Sequence, residues 1–332
     1  MCHFFKSSLA ILGLVGLLFT LSAQAQEAKR EINFGIISTE TSQNLRTIWE
    51  PFLADMSRKT GFEVKAFFAS DYAGIVQGIR FNKVDIAWMG NKSAMEAVDR
   101  AGAEVIAQTV AANGDDGYWS VLLAHRDSPY NSVQDVLKHA KDISFGNGDP
   151  NSTSGFLVPG YYVFAQNGVD PKQIFKRSLN GGHEINALAV ANRQLDVATC
   201  NTETLERLKV TAPEKLQQLK VIWKSPLIPS DPIVMRKNLD AKTQKILKDF
   251  LFAYGKTAGE KKILTALQWA PFKVSNDDQL LPIRQLELFK QQAVVKADEH
   301  LSETEKQTRL KNIADELAKL DRRMKALELS RK

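Results

Sequence analysis

Short apolar runs alternate along this chain with segments in which apolar residues return every three or four positions. Residues 32–37 read as a strand. From about Thr41 a helix follows, with Leu45, Ile48, Trp49 and Leu53 on one side. Residues 62–68 predict a second strand, 72–82 a helix and 84–89 a third strand. Strands separated by helices predict a parallel or mixed α/β sheet. The pattern restarts at 143–145 with a strand, a Gly/Asn/Asp/Pro-rich loop and a helix over about 154–167. A helical stretch at 185–192 and a strand at 195–199 follow. Residues 78–88 and 188–198 share one layout: a helix, a polar turn with Asn, then a short apolar strand containing Asp. Two similarly built lobes are therefore expected.

Two segments look like crossings between lobes. Residues 118–125 form an apolar strand that runs into Arg126-Asp127-Ser128-Pro129, and 228–235 form a strand interrupted by Pro229 and Pro232. The expected division is one lobe over 26–122 plus 233–295 and another over 123–232, joined by a two-strand hinge. A cleft between domains is a favoured ligand site. The tail, 296–332, is highly charged and has no Gly or Pro. In it Leu310, Ile313, Leu317, Leu320, Met324 and Leu327 recur with alternating spacings of three and four, the a/d seam of a helix. A lone helix showing that stripe to water is marginal. The seam therefore predicts a homodimer through the tail, with packing along its own lobe as the alternative.

Residues 1–25 read as a secretory signal peptide. Lys6 gives a positive start, 9–21 are almost wholly apolar, and Ala23-Gln24-Ala25 is a small-x-small cleavage signature. The run is too short to span a membrane, so a soluble periplasmic chain beginning at Gln26 is expected. About 307 residues remain, enough for two domains. One cysteine survives, Cys200, so no intramolecular disulfide can form; it reads as a small core residue ending a buried strand rather than a nucleophile. Net charge is +6, with Lys and Arg spread among Asp and Glu and no dense basic block with interleaved aromatics. That pattern speaks against nucleic acid as a partner.

The chemistry concentrates in residues 145–156, Phe-Gly-Asn-Gly-Asp-Pro-Asn-Ser-Thr-Ser-Gly-Phe. A strand ends, glycines turn the backbone, and Ser152, Thr153 and Ser154 arrive where a helix begins. Hydroxyls beside unpaired helix amides form a neutral pocket for an oxyanion; a plain capped helix explains them equally well. No Gly-Lys-Ser/Thr follows, which disfavours nucleotide hydrolysis. Tyr72 and Tyr118 suit a cleft wall or a core edge. His183 follows two glycines in a loop, and no second His or Cys stands at metal-ligand spacing, so neither a metal nor a cofactor is expected. Glu203 lies past a strand end and Asp231 between two prolines; a solvated surface carboxylate is the default for each. No activated nucleophile accompanies them, so no catalytic residue is assigned and an enzyme is disfavoured. A transport binding protein, a sensor or adaptor, and a hydrolase using His183 remain as readings.

Four stretches narrow the choice. Residues 33–40, 81–88, 145–156 and 224–234 are similar to the phosphonate-binding proteins of bacterial phosphonate ABC importers, and the resemblance runs from about Asn33 to Phe289. It implies a type II periplasmic binding protein fold that takes up 2-aminoethylphosphonate for an inner-membrane ABC permease. By motif, Ser152, Thr153 and Ser154 would meet the phosphonate oxygens, with Tyr72, Tyr118 and His183 around them. Glu203 and Asp231 would face the ligand amine. The chain has Cys200 where the family usually has Asn, and Ser230 where Gly can occur.

Overall fold

The computed structural model describes residues 29–330. The expected signal peptide lies outside the described residues. Two mixed sheets carry the fold. The first has six strands in the order Trp269–Val274, Ala103–Ala111, Pro232–Arg236, Ile86–Trp88, Glu31–Ile36 and Glu63–Phe68. Glu31–Ile36 pairs in parallel with both Glu63–Phe68 and Ile86–Trp88, and Pro232–Arg236 returns antiparallel. The second sheet has five strands in the order Leu219–Lys224, Ser120–His125, Val197–Asn201, Ser144–Gly148 and Arg177–Gly181. It repeats the scheme: parallel strands at the centre and an antiparallel strand that arrives from the other sheet.

Helices cover these sheets because their apolar faces match. Helix Ser42–Thr60 is capped by Thr41, whose hydroxyl accepts the Asn44 N–H at 3.3 Å, and ends at left-handed Gly61. It buries Trp49 and Phe52 against Phe34 in the first core. The second core centres on Phe145, stacked on Phe175 at 4.4 Å and edge-on to Phe164.

The chain crosses between the sheets in a two-stranded ribbon, Gly117–Tyr118 against Ile228–Pro229. The expected strand over 118–125 is thus two strands broken at Trp119, and Ser120–His125 belongs wholly to the second sheet, so that sheet begins three residues before the expected boundary at 123. The helix expected over 154–167 is wound more widely than an α-helix: the Leu157 N–H reaches back five residues to the Ser152 carbonyl at 3.1 Å.

The tail forms helix Glu303–Ser330, which folds back on helix Leu281–Ala297. A five-residue connection, 298–302, makes this a helical hairpin. Ile313 is buried and Leu310, Leu317, Leu320 and Met324 are half-buried. Gln285 Nε2 donates to Asp321 Oδ1 at 2.7 Å, and Arg323 pairs with Asp278. The seam expected to join two copies is therefore laid against the chain's own helix, the alternative the spacing left open.

Candidate functional site

Loops after parallel strands gather at the carboxyl ends of a sheet, where helix N-termini present unpaired amides. In the first lobe, strand Glu31–Ile36 leads to Thr39 and Glu40, Glu63–Phe68 to Tyr72, and Ile86–Trp88 to helix Asn91–Arg100. In the second, Ser144–Gly148 leads to Ser152–Ser154, Arg177–Gly181 to His183, and Val197–Asn201 to Glu203. These ends meet where the lobes touch. Tyr72 donates its N–H to Asp149 Oδ2 across the divide at 3.1 Å, and the Lys92 N–H donates to Thr153 Oγ1 at 2.8 Å.

The hydroxyl loop depends on close backbone packing. A Cβ on Gly148 would sit 2.4 Å from the Gly155 backbone, so a side chain there would push the turn apart. Ser152 Oγ caps the turn by accepting the Gly155 N–H at 3.0 Å. Ser120 Oγ donates to the Ser154 carbonyl (2.6 Å) and Thr199 Oγ1 to the Gly155 carbonyl (2.7 Å). Asn186 Nδ2 donates to the Asn147 carbonyl at 3.0 Å. Acceptors are thus satisfied inside the lobe. Thr153 Oγ1 accepts from Lys92 and keeps its own O–H to donate.

His183 Nε2 lies 3.4 Å from both Ser152 Oγ and Ser154 Oγ. It is the first residue of helix His183–Ala191, not the loop residue expected, because Gly182 alone serves as the cap. Burial pushes the imidazole down to about 4, so the ring is neutral near pH 7. Its Nδ1 is buried without a hydrogen-bond partner.

The two tyrosines and two carboxylates complete the cluster. Tyr72 and Tyr118 are buried, and desolvation raises both phenols well above their usual range, helped by neighbouring carboxylates. Tyr118 Oη donates to Asp231 Oδ1 at 2.8 Å. Neither carboxylate is the solvated surface group expected by default. Asp231 is buried because its flanking prolines hold it between the ribbon and the first sheet; Glu203 is half-buried at the start of helix Thr202–Thr211. Desolvation raises Glu203 to about 7 despite the nearby Arg207 charge. Asp231 is raised well above the usual range by burial and then by the Glu203 charge. Tyr118 and the Trp88 indole temper that rise, although Trp88 Nε1 lies toward the carboxyl without making a hydrogen bond.

Further residues were not singled out from the sequence. Asp149 bridges the lobes; its Gly-Asp-Pro setting marked a turn but not a partner. Trp88 ends an apolar strand and reads as core. Around the cluster, Glu184 accepts from the Thr41 N–H at 3.0 Å and Asn44 Nδ2 at 2.7 Å, and Arg207 pairs with Glu40. Burial outweighs Arg207 and raises Glu40 to about 7. These long-range pairs leave no local spacing to detect. Cys200 is buried and its thiol pushed up to about 12 by burial, which keeps it unreactive.

The comparisons agree with this architecture. The family model described as ABC transporter, phosphonate, periplasmic substrate-binding protein matches residues 34–280. The phosphonates-binding periplasmic protein of Escherichia coli (strain K12) is 60% identical over 322 residues, 97% of this chain and 95% of that one. The crystal structure of a binding-protein component of an ABC phosphonate transporter from Pseudomonas aeruginosa has a TM-score of 0.90 and 64% identity, covering 90% of this chain and 99% of that one. A Prochlorococcus marinus protein in complex with methylphosphonate shares the fold at a TM-score of 0.69 and 24% identity, covering 77% and 97%. These relatives are substrate-binding components rather than enzymes. The chain belongs to the phosphonate-binding family of periplasmic substrate-binding proteins that serve ABC transporters.

Proposed function

We propose that this chain is exported by its 1–25 leader, captures alkylphosphonates between its lobes, 2-aminoethylphosphonate best of all, and hands them to an ABC importer. One observation carries the reading: a single cluster has neutral donors at one end and two desolvated carboxylates at the other. Ser152, Thr153, Ser154, Tyr72 and His183 supply hydroxyl and ring donors to three phosphonate oxygens without placing a fixed cation beside them. Glu203 and Asp231, with Tyr118 orienting Asp231, receive the ammonium through charge-assisted hydrogen bonds. A bare phosphate would meet the donors but would face two carboxylates. A zwitterion satisfies both ends.

The test is calorimetric titration of the mature protein with 2-aminoethylphosphonate, methylphosphonate and inorganic phosphate. The zwitterion should bind tightest, by about tenfold or more over methylphosphonate, the worth of about one hydrogen bond to a charged group. Phosphate binding as tight as the aminophosphonate would refute the reading.

A further inference from the structure

A small cavity lies beside the Glu203 end of the cluster. It measures about 30 Å³ and is lined from both lobes, sharing Trp88 and Glu203 with the cluster. A void on this measure needs about 10–15 Å³ to hold one water. This one therefore has room for one or two water-sized groups. Its first-lobe wall carries three indoles beside the polar Thr39 and Glu40: Trp88 and Trp269 meet edge to face at 5.8 Å, and Trp49 lies 5.6 and 5.2 Å from them. Ile48 and Leu267 add aliphatic surface. On the second-lobe side stands Arg207, held by Glu40.

That lining discriminates between ways of enlarging a ligand. An alkyl group on the amine would place apolar surface against indole faces and leave the ammonium where Glu203 and Asp231 hold it. A carbon attached to a cationic nitrogen carries part of the positive charge, which indole faces attract. Lengthening the carbon linker instead would push the ammonium itself off Glu203 and Asp231 and into the cavity, where the Glu40 carboxylate is already paired with Arg207. A quaternary ammonium would lose every N–H that the carboxylates read.

We infer that this cavity is a subsite for one carbon on the ligand nitrogen, so that the protein takes N-methyl-2-aminoethylphosphonate alongside the primary amine. The inference rests on the proposed reading of the amine by Glu203 and Asp231. It identifies Trp88 and Trp269 as residues that set selectivity at the nitrogen.

Titration of the mature chain with four ligands tests it: 2-aminoethylphosphonate, its N-methyl and N,N,N-trimethyl derivatives, and 3-aminopropylphosphonate. The N-methyl ligand should bind within about tenfold of the primary amine, while the trimethyl and lengthened ligands should each fall by about a hundredfold, the range a misfitted methylene or lost polar partner commands. Ile48→Phe fills the cavity from a residue outside the donor and carboxylate cluster. It should weaken the N-methyl ligand by about tenfold or more and leave the primary amine unchanged; Leu267→Phe is the substitute if the first variant does not fold. If the primary amine binds well and the N-methyl ligand falls with the trimethyl one, the subsite is refuted and the amine reading stands. If the primary amine binds no better than methylphosphonate, the amine reading fails and the subsite with it. Equal weakening of both amines in a folded Ile48→Phe protein also overturns the subsite, because the cavity then serves only the contact between lobes.

Discussion

An ammonium held by Glu203 and Asp231 requires carboxylates, yet burial favours their protonated forms. Binding should therefore expel a proton. The Glu203 carboxyl is raised to about 7 by desolvation, against an ordinary 4.5. Asp231 is raised as well, so binding of 2-aminoethylphosphonate at pH 6 should release protons, and its affinity should rise between about pH 5 and 7. Because Glu203 is half-buried, water screens part of this effect and a total of about 10–100-fold is expected across the window. The assay is calorimetry at pH 6 in buffers of different ionisation enthalpy, which counts protons directly. Methylphosphonate, which has no amine, serves as the reference once the phosphonate ionisation of each ligand has been titrated separately. Glu40, also raised to about 7, belongs to the interlobe pair with Arg207 and is controlled by Glu40→Gln. Glu203→Gln should remove most of the proton release. Equal proton counts in wild type and Glu203→Gln would refute the coupling between the carboxyl and the amine.

The same assignments give further expectations. Asp231→Asn should weaken 2-aminoethylphosphonate by about 1.5–3 kcal/mol while changing methylphosphonate little; equal losses for both would mean that Asp231 does not read the amine. Removing the Ser152, Thr153 and Ser154 hydroxyls together should weaken both ligands alike, and titration of a triple Ala variant that binds normally would disprove the hydroxyl loop. In the ligand-free protein a raised carboxyl costs nothing below pH 4.5 and destabilises increasingly as pH rises toward about 7. Glu203→Gln should accordingly match wild-type melting near pH 4.5 and exceed it at pH 8, and a lower melting temperature at pH 8 would contradict this. A version ending at Val295 should melt earlier but keep the oligomeric state of the full chain, because the seam packs in cis; light scattering that shows a dimer lost on truncation would restore pairing between copies.

Elements and their order were legible because they depend on local pattern. The strand at Glu31–Ile36, the Thr41 cap and the return of the pattern at Ser144–Gly148 all follow from periodicity and capping chemistry. The oxyanion loop was legible as a choice, since Ser152 does cap its turn and the same hydroxyls also face His183. What local pattern could not supply was long-range pairing. Glu184 with Asn44, Arg207 with Glu40 and Asp149 with Tyr72 are separated by 140 residues, by a whole lobe and by 77 residues respectively. Burial of Asp231 was missed for the same reason: the prolines that isolate it in sequence are what seat it against Tyr118 in space. The wide helical turn after Ser152 has no signature either, because the i−5 bond of Leu157 is selected by the packing of Gly148 on Gly155.

The contacts between lobes bear on how ligand is held. Glu184, Arg207, Asp149 and Thr153 all bond to the opposite lobe, so the closed arrangement has its own polar seal. Closing that seal also strips water from Glu203 and Asp231, which penalises their charged forms. An ammonium reverses the penalty. Two charge-assisted bonds at about 1.5–3 kcal/mol each sum to about 3–6 kcal/mol. Moving a population from 1:99 to 99:1 needs about 5.5 kcal/mol of differential affinity. On the proposed reading the acidic pair alone would approach a shift of that size, whereas methylphosphonate would act through its oxygens only. The Gly117–Tyr118 and Ile228–Pro229 ribbon, where the chain crosses between the sheets, is the place about which closure would turn. X-ray scattering should show the radius of gyration falling with saturating 2-aminoethylphosphonate and falling less with saturating methylphosphonate. Identical curves with and without the aminophosphonate would show a rigid cleft, and equal contraction with both ligands would show that closure is driven from the phosphonate end.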